Sequence, residues 1–291
     1  MTSWQPGRAD LTTRMASLAR GWKPSALTVR ILSAFVILGL VIGLALIRPY
    51  GAYLLVFILA GLALWEFIGL SEGMGSRAPG WLLFPLGGFF AYSGTLLKNI
   101  DVNAVLALAL VGGLAAFLFV PGRRQGLGRW AMGMAGALYI GMPFNYYLLL
   151  YTSKANGLVW ALFTIFAVVA CDAAALLVGS RIGRHPFFRA ISPHKTLEGA
   201  IAGVVGSLAV MLIGVSGVMG ISPLHAIALG LLVGVSSQLG DLVESQMKRI
   251  AEVKDSSHLI PGHGGVLDRL DSILFPPILV YFYLMVFHLL S

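Results

Sequence analysis

Apolar stretches about long enough to cross a bilayer as helices recur along this chain, separated by short segments rich in Gly, Pro and basic residues. The pattern predicts an all-α, polytopic integral membrane protein with about nine transmembrane helices: 30–47, 51–70, 80–97, 102–120, 130–151, 157–179, 199–220, 224–246 and 269–290. Breaks fall where turn chemistry is dense, at Arg48-Pro49, Ser71 to Pro79, Pro121-Gly122-Arg123-Arg124 and Ser222-Pro223. Pro85 and Pro276-Pro277 interrupt the third and last runs, which predicts kinks whose freed carbonyls neighbouring groups must satisfy.

The organisation is a basic segment 1–29, an N-terminal bundle 30–151 and a C-terminal region 152–291 that holds the densest polar sequence. Residues 1–29 interleave Arg8, Arg14, Arg20 and Lys23 with Trp4, Leu11, Met15, Leu18 and Trp22, which suits either an interfacial amphipathic helix or a disordered topogenic tail. No cleavable signal peptide is expected, because the first apolar run lacks a short core with a small-residue cleavage site.

Composition supports the membrane reading: 58% of the 291 residues are hydrophobic and only 11% charged. The net charge of +8 does not signal nucleic acid, since the basic residues flank apolar runs and form no continuous patch. With nine spans, all lysines and arginines except Arg48, Lys98 and Lys154 fall on one side. The positive-inside rule then places the N-terminus in the cytoplasm and the C-terminus outside, in an inner (cytoplasmic) membrane. Cys171, the single cysteine, forms no intrachain disulfide and reads as a small core residue. Gly-rich faces such as Gly199, Gly203 and Gly206 suit close helix packing and are compatible with a homo-oligomer.

The chemistry concentrates in residues 245–271, SQMKRIAEVKDSSHLIPGHGGVLDRLD. Lys248, Arg249, Lys254 and Arg269 suit phosphates, Asp255, Asp268 and Asp271 suit a hard cation, and Gly264-Gly265 lets backbone approach a ligand. Asp172 and Asp241 should lie about 8 to 11 Å below the cytoplasmic surface at ~1.5 Å per residue, level with Asp268 and Asp271. Charged groups at that depth need partners: cations, nearby lysines and arginines, or water. Asp241, Ser245 and Lys248 share a helix face by spacing, with Glu244 and Arg249 flanking it, and a Mg2+ ion between Asp241 and Asp268 fits that geometry. Interhelical salt bridges would account for the same carboxylates without a metal. In Ser192-Pro193-His194-Lys195-Thr196, Thr196 is a credible N-cap, and Lys195 adds a charge beside a helix start that could face an anion. His263 could be a ligand, a base or a turn-holding group; an orienting or phosphate-contacting role fits best. Glu66 reads as a structural or lateral-gate residue, and His185, His194, His225 and His258 as loop or interface histidines. No Walker loop, Rossmann fingerprint or Ser-His-Asp order is present.

The spacing of Ser245, Lys248-Arg249, Lys254-Asp255, Pro261, His263-Gly264-Gly265, Asp268-Arg269 and Asp271 resembles the signature of the phosphatidate cytidylyltransferases (CDP-diacylglycerol synthases). Ser192 to Gly199 is similar to that family's Ser-Pro-x-Lys-Thr-x-x-Gly element. Gly179, Gly183 and Arg184 match its small-residue spacing, whereas Ala173-Ala174-Ala175-Leu176 departs from it. The resemblance covers the C-terminal half from Asp172; the N-terminal half matches only in hydropathy and length.

The resemblance implies an enzyme converting CTP and phosphatidate to CDP-diacylglycerol and pyrophosphate with Mg2+, and it leaves open a monovalent cation beside it. Asp241, Asp268, Lys254 and His263 are then the candidate catalytic residues, and Asp172, Asp241, Asp268 and Asp271 the candidate metal ligands. Substrates would be bound by Ser192, Lys195, Thr196, Ser245, Lys248, Arg249, Asp255, Gly264, Gly265 and Arg269. The residues alone also admit a transferase acting on another lipid acceptor, or a transporter with an acidic ion site. The concentration of charge at one face argues against the transporter.

Overall fold

The computed structural model describes residues 39, 43–44, 47–117, 123–260 and 264–290. The segment 1–29, nearly all of the run 30–47, and His263 lie outside the described residues. The described residues form α1 (Tyr50–Gly73), α2 (Gly80–Tyr92), α3 (Val102–Phe117), α4 (Arg123–Thr152), α5 (Gly157–Ile182), α6 (Leu197–Met211), α7 (Pro223–Ile250), α8 (Leu267–Leu274) and α9 (Pro276–Val286), with non-helical segments that include 183–196 and 251–260. Five of these segments, Tyr50–Gly73, Gly157–Ile182, Leu197–Val218, Pro223–Ile250 and Leu267–Val286, are long and apolar enough to cross a membrane. Large apolar side chains such as Phe57, Leu108, Leu176 and Ile213 face outward, as expected where lipid replaces water. The protein is therefore an all-α, polytopic membrane protein.

Three predicted runs differ in detail. The run 80–97 is helical only over 13 residues, Gly80–Tyr92. It stops where Gly94 donates its amide to Asn145 Oδ1 of α4 at 2.8 Å instead of continuing the helical ladder. The run 199–220 leaves α-geometry at Leu212 and continues as a π-helix to Val218. The Phe163 ring of α5 packs against Gly214 there, so closely that a side chain at 214 would collide with it. The last run is divided at Phe275 into α8 and α9 because Pro276 and Pro277 lack amide donors. Pro277 leaves the Ile273 carbonyl without its helical partner, and the Tyr147 hydroxyl of α4 donates to that carbonyl at 3.3 Å.

Two buried clusters hold the bundle. One joins α1, α2 and α4 to Ala251, Val266, Leu267, Leu270 and Leu274, so the N-terminal helices grip the polar segment that follows α7. The other, around Trp160, Val168, Met211, Leu229, Val233, Val280 and Leu284, joins α5, α6, α7 and α9.

The small-residue faces pack as predicted. A Cβ at Gly203 of α6 would lie 2.9 Å from Cys171 Sγ and 3.0 Å from the Cys171 carbonyl oxygen of α5. Backbones in such close contact gain dispersion that lipid cannot replace. Gly203→Val should therefore push α5 and α6 apart and destabilise the protein by about 1–3 kcal/mol or more. A lowered thermal midpoint in detergent checks this, with Gly88→Ala, a position with open space around it, as the silent control.

Candidate active site

The two polar elements singled out in the sequence meet at one end of α5, α6, α7 and α8. The segment between α5 and α6 doubles back on itself: the Phe187 amide donates to the Lys195 carbonyl at 2.9 Å and the Leu197 amide to the His185 carbonyl at 2.9 Å. Thr196 caps α6 as expected, its hydroxyl accepting from the Gly199 amide at 3.2 Å. Gly179 and Gly183 leave room for that hydroxyl, which explains their spacing. The fold so delivers Lys195 to α7, where its Nζ lies 2.6 Å from Asp241 Oδ2. Ser245, one turn on, donates to Asp241 Oδ1 at 3.2 Å. Arg249 reaches across in the other direction and donates from Nε to the Ile191 carbonyl at 3.1 Å, next to Ser192.

A second charged group lies alongside. Lys248 Nζ donates to Glu244 Oε2 at 2.6 Å and to Asp268 Oδ1 at 2.8 Å. Glu244 is fully buried and Asp268 nearly so. Asp268 also accepts from the Ser256 amide at 2.9 Å, the Ser256 hydroxyl at 3.0 Å and the Gly265 amide at 2.8 Å. Gly264 adopts φ +86°, a backbone state that disfavours side chains, and brings the turn against Asp268 and Asp255. A Cβ on Gly265 would overlap the Ser256 hydroxyl and crowd Glu66, so both glycines are required by geometry. Lys254 stands exposed on the same segment.

Asp172, Asp241, Glu244 and Asp271 lie near enough to act on one another electrostatically. Of the four carboxylates expected to converge, Asp172, Asp241 and Asp271 are in this group, whereas Asp268 is turned to Lys248 and Glu244 takes its place. The Ser272 hydroxyl donates to Asp271 Oδ1 at 3.2 Å and lies close to Asp172. Glu244 contacts Asp271, and its Oε1 is buried without a hydrogen-bond donor.

The expectation that Asp241 and Asp268 share a divalent ion meets a different arrangement: each carboxylate is paired with its own lysine, Lys195 and Lys248. Among the described residues no three His, Cys, Asp or Glu side chains are grouped as metal ligands. The donor set still suits a hard cation. Two carboxylates in contact, one with a donorless buried oxygen, require a proton or cation between them, and Asp241 is held by a lysine ammonium that a metal ion could replace.

Two acidic residues carry more of this geometry than spacing alone suggested. Glu244, placed only at the flank of a helix face, is central and buried; its signal was a glutamate inside a span with a lysine at i+4. Glu66 of α1 accepts from the Ser257 hydroxyl and from the Val266 and Leu267 amides, and it shares the Ser256 hydroxyl with Asp268. No periodicity in the sequence could connect it to residues about 200 positions away.

A membrane-embedded bundle that gathers lysines, carboxylates and a glycine turn at one end defines an integral membrane protein of the phosphate-handling class. The chain belongs to the cytidylyltransferase family, whose model matches residues 28–287. The match reaches well into the N-terminal half, beyond the motifs that carried the resemblance.

The chain is similar to the phosphatidate cytidylyltransferase of Staphylococcus saprophyticus, with 33% identity over 259 residues covering 85% of this chain and 95% of the relative. That of Staphylococcus aureus strain COL is 32% identical over 256 residues, with the same shares of 85% and 95%. That of Bacillus subtilis is 38% identical over 152 residues, covering 52% of this chain and 56% of the relative.

Proposed function

We propose that this protein is an enzyme that transfers the cytidylyl group of CTP to phosphatidate, giving CDP-diacylglycerol and pyrophosphate for phospholipid synthesis. Family membership and the activity named for its relatives support the reading. The observation that carries it is the meeting of the two motif elements, with Lys195 Nζ 2.6 Å from Asp241. An ammonium carries three donors, and Lys195 Nζ has no other hydrogen-bond partner among the described residues, so it retains donors for a phosphate oxygen.

In this reading a phosphatidate phosphate oxygen attacks the α-phosphorus of CTP. The new P–O bond forms as the bond from the α-phosphorus to the bridging oxygen of the β-phosphate breaks, and the electron pair leaves with pyrophosphate. Such a reaction requires orientation and charge neutralisation more than a covalent nucleophile. Lys195, Lys248, Arg249, Lys254 and Arg269 bind phosphates. Ser192, Thr196 and Ser245 order the substrate-binding end of α6 and α7, and Asp255 with Gly264 and Gly265 shapes the turn. Asp241, Asp268, Asp271 and Asp172 are the residues that would hold Mg2+, which when bound neutralises triphosphate charge. His263 orients a phosphate or the turn.

The proposal includes nine spans, the cytoplasmic N-terminus and outer C-terminus implied by the distribution of basic residues, and the three-part division at residues 29 and 151. Both motif elements then face cytoplasmic CTP while phosphatidate arrives from the bilayer.

Purified protein given Mg2+, phosphatidate and each nucleoside triphosphate should release pyrophosphate and form liponucleotide with CTP or dCTP, and poorly with ATP or GTP. Product formation independent of phosphatidate, or equal use of all nucleotides, would overturn the assignment. Product with a different lipid phosphate in place of phosphatidate would reassign the acceptor alone.

A further inference from the structure

We infer that Glu66, on a helix of the N-terminal bundle, is a positioning residue for the site: it caps α8 from a distance and so sets where Asp268 and Asp271 stand. The importance of that placement rests on the function proposed above.

The need for a cap follows from the sequence. The Val266 and Leu267 amides at the start of α8 have no acceptor within the helix, and Val266, at the N-cap, has no side chain that could accept from the amides that follow it. Glu66 supplies both acceptors. Its Oε1 takes the Val266 amide at 2.8 Å and its Oε2 the Leu267 amide at 2.6 Å. Each oxygen also faces a hydroxyl of the preceding segment, Ser257 at 2.6 Å and Ser256 at 3.0 Å. A carboxylate only 2% exposed is thus held by neutral donors and the positive end of a helix.

The arrangement leads directly to Asp268. The Ser256 hydroxyl lies 3.0 Å from Glu66 Oε2 and 3.0 Å from Asp268 Oδ2, and its single proton serves one carboxylate at a time. Asp268 is the second residue of the helix that Glu66 caps, and Asp271 lies one turn further on. Displacement of Glu66 would move the Ser256 hydrogen bonds, the start of α8 and both aspartates together. An ordinary packing residue on α1 has no such connection. Ser71, also buried on α1, bonds only locally, to the Ile68 carbonyl and the Ala78 amide.

Replacement of Glu66 by glutamine is a stringent test because the two side chains have nearly the same shape. Hydroxyls can turn to accept, but backbone amides cannot, and each carboxylate oxygen faces one amide. Either orientation of the substituted carboxamide therefore sets an NH2 group against an N–H.

In Glu66→Gln the half-saturating Mg2+ concentration should rise and kcat should fall, each by about 10-fold or more, the range seen when groups supporting metal ligands are removed. Glu66→Asp, which keeps the charge on a shorter arm, should recover part of both. Ser71→Ala should lower heat stability without moving either. Deuterium exchange in substrate-free protein should show loss of protection at residues 264–267 in Glu66→Gln and not in Ser71→Ala.

Wild-type Mg2+ dependence and kcat per folded molecule in Glu66→Gln, or unchanged exchange at 264–267, would overturn the inference. If the wild-type protein makes no liponucleotide, the function falls while the exchange measurement still decides the positioning role. If Glu66→Gln does not accumulate, Ser257→Ala removes the 2.6 Å bond from the other side. A smaller increase in exchange at 264–267 is then expected, and no increase would overturn the inference.

Discussion

Asp241→Asn is expected to lower cytidylyl transfer by about 10²–10³-fold or more at saturating CTP, the cost typical of losing a preorganised electrostatic group. The change preserves size and removes charge at the point where α5–α6 and α7 meet. Asp241 Oδ2 holds Lys195 and Oδ1 accepts from Ser245, so a neutral amide loses the ion pair that aims the lysine and removes a proposed cation ligand in one step. Folding should persist, because Asp241 is about a third exposed and an ion pair in that setting contributes ~0–1 kcal/mol. Turnover and thermal midpoint measured on the same preparation separate the two effects. Near-normal turnover at low Mg2+ would remove Asp241 from the site.

The parts of the fold set by hydropathy and local chemistry were legible in the sequence. Each apolar run from residue 51 onward contains a helix among the described residues, and the Thr196 cap forms as its type and position require. The deviations have local physical causes. Gly94 leaves α2 for Asn145, Phe163 packs on Gly214 in the π-helical turn, and Pro276-Pro277 divides the last run.

The residues singled out by spacing fall into two groups, Lys195 with Asp241 and Ser245, and Lys248 with Asp268 and Gly265, and the sequence did not reveal these pairings. Spacing placed Lys248 on the Asp241 face, yet it turns to Glu244 and Asp268. Helical periodicity reports which residues share a face, whereas the choice among several carboxylates depends on which are most deeply buried. Glu66 was read as a structural or lateral-gate residue, but its partners could not be read, because they lie about 200 positions away and meet it only through the tertiary fold.

Lys248→Met should be among the most damaging single changes to stability. The lysine is 15% exposed and bridges Glu244, at 0%, and Asp268, at 5% exposure. Methionine fills much of the volume and packs acceptably, so the loss is chiefly electrostatic: two buried carboxylates lose their shared counter-charge beside Asp271. Breaking a buried pair in this way costs about 3–5 kcal/mol, because the remaining charge is left without solvent or partner. The exposed pair Arg77–Glu72, at 3.4 Å and with both side chains about 60% exposed, is the contrast; Arg77→Ala should cost less than ~1 kcal/mol. Adding Glu244→Gln to Lys248→Met removes one of the stranded charges and should restore part of the lost stability. It should not restore turnover, since Asp268 still lacks its lysine and the phosphates lack a proposed ligand. Denaturation midpoints in detergent for the single and double variants decide the point. Equal midpoints for wild type and Lys248→Met would mean that Glu244 and Asp268 are not held by this lysine in the membrane.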